Sequence, residues 1–296
     1  MNASQTKFQE AEGIKDSNDK FYEESLKGGH GTNNPELLHY LVDNSASAID
    51  WLDSMGITLS NLTTTGGMSE KRTHRPADGS AVGEYLVAGL LRNASEREIP
   101  LFVNAVVNKV NEKDGKVTGV NVTIDGQEKT IASNAVVLTT GGFGANMEMV
   151  TEYKPELNGF VTTNQKGSTG DGIVLAKEIG AATVDMGEIQ IHPTVEQSTS
   201  TLISESVRGE GAILVNQEGK RFFNELETRD KVSAAIIGQE GKSAYVVFDE
   251  ALKGRVKAIN QYESKGLVVK GDTIEDLAKE IGVDPANLKA SLETWN

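Results

Sequence analysis

The chain has 296 residues, a formal net charge of -14, 38% hydrophobic and 24% charged residues, and no cysteine. That length gives one large or two modest domains with enough chain for a core. The acidic balance argues against nucleic acid or an anionic membrane as a general partner, and the absence of thiols excludes disulfides and thiolate metal sites.

No apolar run approaches the roughly 18 residues that a membrane span needs, and no basic-plus-apolar leader opens the chain. The expectation is a soluble protein, with the compartment open between cytoplasmic and exported. The opening, MNASQTKFQEAEGIKDS, reads like the middle of a domain, and the closing SLETWN stops inside a helical pattern. Both ends suggest a piece of a longer protein.

Residues 4–27 place Phe8, Ile14, Phe21 and Leu26 among polar residues and predict helices, up to a break at Gly28-Gly29-His30-Gly31. Asn34-Pro35 is a helix start, a cap residue followed by proline in the first turn. Leu37, Leu38, Leu41, Val42, Ile49, Leu52 and Met55 continue at helical spacing to Gly56. His30 and His39 have no second ligand in view and read as surface or core-edge histidines. Residues 57–79 read as a loop whose Arg72-Thr73-His74-Arg75-Pro76 cluster is an exposed basic segment or an anion contact. Residues 81–97 predict a helix in which Gly83 and Gly89 allow close approach of another element.

Strand signals follow at Leu101–Val103 and Ala105–Val110. Asp114-Gly115 and Asp125-Gly126 then join 105–110, 117–124 and 129–132 into a β-meander. Ala135–Leu138 is apolar throughout and predicts a buried, parallel strand. It runs into Thr139-Thr140-Gly141-Gly142-Phe143-Gly144, where backbone N–H groups could receive a phosphate or simply allow tight packing. A second glycine cluster, Lys166 to Gly172, opens a helix over 173–179, with Asp171 as its cap or a contact for ligand hydroxyls. The chain contains no GxGxxG fingerprint.

The stretch from Gly187 to Lys231 interleaves His192, Glu205, Arg208, Arg229 and Asp230 with Ile203, Val207, Ile213, Phe222 and Phe223. Buried charges must be paired, so this mixture predicts a partly buried ionic cluster. His and Arg suit a small anion, and a Glu between cations suits proton transfer. On the residues alone, Arg208 and Arg229 equally fit plain salt bridges with Glu205 or Glu225, and His192 fits a satisfied core histidine. Ala212–Val215 and Ala244–Phe248 predict strands, Ser233–Gly238 a helix, and 273–281 with 285–295 a helix pair capped by Asp272 and Asp284.

Taken in order, THRP, VVLTTGGF, GSTGDG, IQIHPT, SESVRGEGAILVNQEGKRFFNE and TRDK resemble the flavoprotein subunit of fumarate reductases. The likeness is to the soluble flavocytochrome-type enzymes and their FAD-dependent enoate-reductase relatives, and it covers essentially the whole chain. It implies an α/β fold: a partial Rossmann-related FAD-binding domain with a β-meander over 1–185, and a partial α+β clamp domain over 186–296. The family's GxGxxG unit would precede this chain and its C-terminal part would follow it.

Carried over by motif, the resemblance assigns His192 and Ser204 to substrate binding, with Ser204 standing where the family usually has Thr. It assigns Glu205 and Arg208 to a proton relay, with Glu205 also at the substrate, and Arg229 as proton donor. Val107, Gly141, Gly142 and Asp171 fall at cofactor positions, and no metal is implied. The implied reaction delivers a hydride from flavin N5 to one alkene carbon of fumarate while Arg229 protonates the other. Arginine is an unusual acid because its pKa is so high; loss of the proton in concert with hydride arrival and prompt return through Glu205 would ease that. Electrons would come from a donor domain or protein outside the chain. The alternatives are reduction of another enoate, such as urocanate or an acrylate, and a catalytically silent fragment. His192 favours a second carboxylate on the substrate over an imidazole or methyl group.

Overall fold

The computed structural model describes residues 1–64, 68–80 and 82–294. The chain divides into two compact units, Met1–Val103 and Asn104–Asn296. Among the described residues no helix is long and apolar enough to cross a membrane.

The first unit opens with α1 (Lys7–Ala11), started by a reciprocal capping box between Thr6 and Gln9. Ser17 caps α2 (Asn18–Gly28). Asn34 caps α3 (Pro35–Ser54) by accepting from the Leu37 N–H, with Pro35 in the first turn, as the sequence reads. Leu38, Val42, Ile49 and Leu52 form the buried stripe of α3. Phe21 packs on Leu38 and Val42. Ile49 and Leu52 meet Ala3, Ile57 and Leu59, with Tyr85 and Leu86 from α4 (Val82–Glu96). Gly89 sets that approach, since a Cβ there would lie 2.6 Å from Ile57 Cγ1. The predicted first residue of this helix, Ala81, lies outside the described residues.

The segment before α4 departs from the loop reading. Strands β1 (Asn61–Thr63) and β2 (Thr73–Arg75) pair antiparallel, and Arg72 and His74 are fully buried. The Asp16 carboxylate holds Arg72 through Nε at 2.7 Å and Nη2 at 2.6 Å, and Glu24 takes Nη1. His74 Nδ1 lies 2.7 Å from the Arg72 carbonyl and Nε2 lies 2.8 Å from Thr6 Oγ1. The basic segment is therefore neither an exposed loop nor an open anion contact. Its partners lie some 50 residues upstream, where sequence spacing does not reveal them.

The second unit begins with the expected meander of β3 (Ala105–Lys113), β4 (Lys116–Ile124) and β5 (Gln127–Ala132). Asp114-Gly115 and Asp125-Gly126 all take positive φ, between 51° and 75°, as two-residue hairpin turns require. Residues 101–103 and 135–138 are not strands; Val137 is 83% exposed. A strand exists only where a neighbour accepts its ladder bonds, and no described strand pairs with either run.

The rest of this unit is built around β8 (Ile213–Val215), which pairs with β9 (Tyr245–Val247). Earlier in the chain come α5 (Met147–Tyr153), α6 (Asp171–Glu178), the short hairpin β6 (Val195–Glu196) and β7 (Thr201–Leu202), and α7 (Glu205–Gly209). Later come α8 (Arg229–Ile237), α9 (Glu250–Arg255), α10 (Ala258–Ser264), α11 (Ile274–Ile281) and α12 (Pro285–Glu293). Alternation along β8 divides the core. Ile213 and Val215 pack with Ala278 and Leu288, whereas Leu214 packs with Val232 and Ile236 of α8. Ala212 joins Val207, Leu252, Ile259 and Tyr262. Asp284 caps α12 as expected, but Thr273 rather than Asp272 caps α11. Trp295 lies outside the described residues.

Candidate functional site

The two glycine-rich segments flagged in the sequence fold against each other. Gly170 N–H donates to the Gly142 carbonyl at 3.1 Å, Ala145 N–H to Ser168 O at 2.9 Å, and Asn146 Nδ2 to Thr169 O at 3.0 Å. The contact is close because Gly170 and Gly172 have no Cβ: one added at Gly172 would lie 2.2 Å from Thr140 Oγ1, and one at Gly170 2.7 Å from Met149 Sδ. Gly141, at φ +76°, and Gly142 instead face open space. The N–H groups of residues 141–144 make no hydrogen bond among the described residues. Such a loop can take the oxygens of a phosphate-bearing ligand without rearrangement.

Asp171 is not the cap of α6. Gly170 is, in a left-handed conformation, and Asp171 is the first helical residue. One Asp171 carboxylate oxygen accepts from Thr169 Oγ1 at 2.7 Å, and the side chain stays at the surface, available to a ligand hydroxyl. Val107 lies in β3 opposite Val122 and is partly exposed.

His192, Glu205, Arg208 and Arg229 gather in the second unit, as the ionic-cluster reading expects. Ser233 Oγ donates to Ile191 O at 3.1 Å and Thr194 Oγ1 to Ile203 O at 2.8 Å, fixing the segment that carries His192. His192 Nδ1 lies 3.0 Å from Thr194 O and 3.3 Å from Thr194 N, so the ring is held in place at this edge. Its Nε2 lies 3.2 Å from Glu205 Oε1, and Arg229 Nε reaches the same oxygen. These groups are in ion-pair range but not aligned as hydrogen bonds: His192 Nε2 and Glu205 Oε1 are both buried atoms without a hydrogen-bond partner. Arg208 Nε is a third such atom. Three orphaned polar atoms in one cluster mark a place where a polar ligand or a moving proton completes the bonding.

Burial pushes His192 below its ordinary value, opposed by the charge of Glu205. Burial pushes Glu205 up, but Arg229 and His192 outweigh it and hold the carboxyl below the usual range. Arg208 is 4% exposed, and burial pulls its guanidinium below the ordinary arginine value, with Arg229 adding to the effect and Glu205 and Glu225 opposing it. Arg229 remains about half exposed and donates through Nη1 to Gln190 Oε1 at 2.5 Å.

Ser204 is not drawn into this cluster. It caps α7, and its hydroxyl lies 2.9 Å from Ser206 Oγ. The salt-bridge alternative is met in part: Glu205 pairs with Arg229, but Arg208 meets Glu225 only through the backbone carbonyl, because the Glu225 carboxylate is taken by Arg221. Gln190 and Arg221 were not foreseen as site neighbours, and Glu225 was foreseen only as a salt-bridge partner of the arginines; the signal for Arg221 was its i,i+4 spacing from Glu225. An open cleft of about 1730 Å³ is lined by Gly142, Phe143 and Gly144 as well as by His192 and Arg229. One ligand could therefore touch the glycine loop while another meets the ionic cluster.

The profile of the FAD binding domain family matches residues 1–296. The chain is 54% identical, over its full length, to the NADH:fumarate oxidoreductase of Klebsiella pneumoniae, covering 32% of that protein. It is 41% identical to a fumarate reductase (cytochrome) of Shewanella frigidimarina, covering 52% of it. It is 30% identical to the urocanate reductase of Eggerthella lenta over 98% of the chain, covering 50% of that protein. The structure of the open conformation of a flavocytochrome c3 fumarate reductase superposes with a TM-score of 0.85 at 40% identity, over the whole chain and 53% of that one. The chain thus spans about a third to a half of these relatives. The open Gly141-Gly142 backbone with its unpaired N–H groups, and the available Asp171 carboxylate, fit the phosphates and hydroxyls of the family's cofactor, FAD. The chain belongs to the family of FAD-binding domains.

Proposed function

We propose that the protein to which this chain belongs reduces fumarate to succinate. The reading assigns 1–185 to the FAD-binding part and 186–296 to a clamp that carries the substrate site. Bound FAD supplies the hydride. Gly141, Gly142 and Asp171 would hold it, with Val107 toward its adenine end.

The observation that carries the proposal is Glu205 Oε1. It sits between His192 Nε2 and Arg229 Nε, and its charge also bears on buried Arg208, three residues on in α7. In the charged ring with Nδ1–H on the Thr194 carbonyl, or in the neutral tautomer with Nδ1 accepting from the Thr194 N–H, His192 Nε2 carries a proton that it can donate to a substrate carboxylate. Ser204 would supply a hydroxyl after releasing Ser206. Arg229, half open to the cleft, gives its proton to the alkene carbon opposite the one that receives hydride. Glu205 is a carboxylate at rest, so it passes to Arg229 a proton that it takes from Arg208 in the same event, and the guanidine never persists as a free base. Solvent then restores the proton of Arg208, whose burial makes it a better acid than an exposed arginine. The Glu205–Arg229 step joins groups already in contact, the geometry that proton transfer requires, and the Arg208–Glu205 step needs the two side chains to close on each other.

Electrons come from a donor outside the chain. The names of the relatives at 54% and 41% identity support fumarate, and that of the relative at 30% supports urocanate less. Steady-state assays of the full-length, flavin-loaded protein with fumarate and urocanate test the assignment. The expected kcat/KM favours fumarate by at least about 100-fold, since a site built to bond a charged group rejects a substrate that lacks it. A preference for urocanate would overturn it.

A further inference from the structure

The cluster rests on a second buried carboxylate. Glu225 is 1% exposed and fully bonded. Its Oε1 accepts from the Leu214 N–H of β8 at 2.9 Å and from Arg221 Nε at 2.9 Å, and its Oε2 accepts from Arg221 Nη2 at 2.8 Å. Arg221 thus grips the carboxylate with two parallel donors, the arrangement with the most geometric control. The side chain of Glu225 is tied to the central strand at one end and to Arg221 at the other.

That grip has a consequence one bond away. Arg208 Nη1 donates to the backbone carbonyl of Glu225 at 2.7 Å. Among the described residues this is the one hydrogen bond the Arg208 side chain makes, and its buried Nε is left without a partner. The direction of the guanidinium is therefore set by where the Glu225 carbonyl stands. We propose that Arg221 and Glu225 are positioning residues: by clamping the 221–225 turn to β8 they hold the Arg208 guanidinium toward Glu205 with Nε unspent. The inference rests on the reading of Arg208 as a member of the proton relay. Neither residue lines the described part of the cleft.

The charges that bear on Arg208 are Glu205 on its own helix α7, Arg229 at the start of α8, and Glu225 in the turn after β8. His192, beside Glu205, also senses Arg208. Removing the Glu225 charge leaves Arg208 with one carboxylate charge favouring its protonated form, that of Glu205, instead of two. Arg208 then loses its proton more readily, and the alkaline limb of the kcat profile moves to lower pH.

The test uses the full-length, flavin-loaded protein and four variants. Arg208→Gln is the benchmark. Glu225→Gln keeps the volume and the acceptor for Leu214 N–H, Arg221→Gln removes the grip, and Arg221→Lys keeps the charge without the two-point contact. Glu225→Gln and Arg221→Gln are expected to lower kcat tenfold or more with KM for fumarate within twofold, and Glu225→Gln to shift the alkaline limb downward. Arg221→Lys should recover part of the loss, and it gives the same reading if Arg221→Gln fails to fold. Hydrogen exchange of amides 206–212, followed by mass spectrometry without substrate, should quicken in Glu225→Gln. If Arg208→Gln loses turnover while the Glu225 and Arg221 variants keep the wild-type kcat and pH profile, the positioning role is wrong and the relay reading stands. If Arg208→Gln turns over normally, the relay reading falls and the inference with it.

Discussion

Arg208 and Arg229 carry the same side chain in opposite surroundings. Arg229 is half in water, and Arg208 is 4% exposed with an unpaired Nε. An arginine in water does not act as an acid near neutral pH. Burial lowers that barrier for Arg208, and the carboxylate of Glu205 is in contact with Arg229 Nε, where the proposed relay would pass on a proton taken from Arg208. His74 shows the same physics in a structural role. It is fully buried, its Nδ1–H donates to the Arg72 carbonyl, and its Nε2 accepts from Thr6 Oγ1. The neutral ring is fully bonded, and burial holds its pKa below the ordinary histidine value. The unfolded chain takes up a proton at higher pH than the folded one. The contribution is therefore complete above about pH 6.5 and is lost as pH falls toward the folded value, at no more than about 1.4 kcal/mol per pH unit. Melting temperature measured between pH 7 and pH 5 should fall in the wild type and fall less steeply in His74→Gln; equal slopes would remove His74 as a cause. Burial also holds His192 below its ordinary value, so His192→Gln is the control. The ionic cluster of the 187–231 stretch was legible because its residue types are costly to bury unpaired. The Arg72 network was not, because its partners Asp16 and Glu24 lie on a helix and a loop far back in sequence. Removing one partner of so buried a pair typically costs about 3–5 kcal/mol.

At the scale of elements, local chemistry predicted what local chemistry controls. The Asn34-Pro35 start of α3, the Asp284 cap of α12 and both Asp-Gly turns stand where the sequence puts them. Ala135–Leu138 does not form its strand, since apolar composition states a preference for burial but not the presence of a partner. Gly119 escaped notice in a run that reads as plain alternation. It takes φ +143° in β4, beside the shift of register at Asn111, and an added Cβ would lie 2.0 Å from the Ile131 carbonyl oxygen. That oxygen belongs to the backbone of β5 and cannot swing away. Gly119→Ala should therefore lose about 2–4 kcal/mol, the combined scale of backbone strain and overpacking. Chemical denaturation checks it; a loss below about 0.5 kcal/mol would show that the meander adjusts without cost.

At the scale of the molecule, the second unit brings the glycine loop at 141–144 and the His192–Arg229 cluster to one cleft. The chain spans 32–52% of the relatives at 54% and 41% identity, so its chemistry is to be tried in the full-length protein. The central claim is that Arg229 delivers the proton while the cofactor delivers the hydride. The direct measurement is single-turnover reoxidation of the reduced flavin by fumarate, in wild type and in Arg229→Ala. The account predicts rapid fumarate-dependent reoxidation in the wild type. It predicts a loss of at least about 100-fold in the variant, the low end of what a positioned acid contributes, with the flavin band fully retained. Near-normal reoxidation by Arg229→Ala, with its flavin in place, would contradict it.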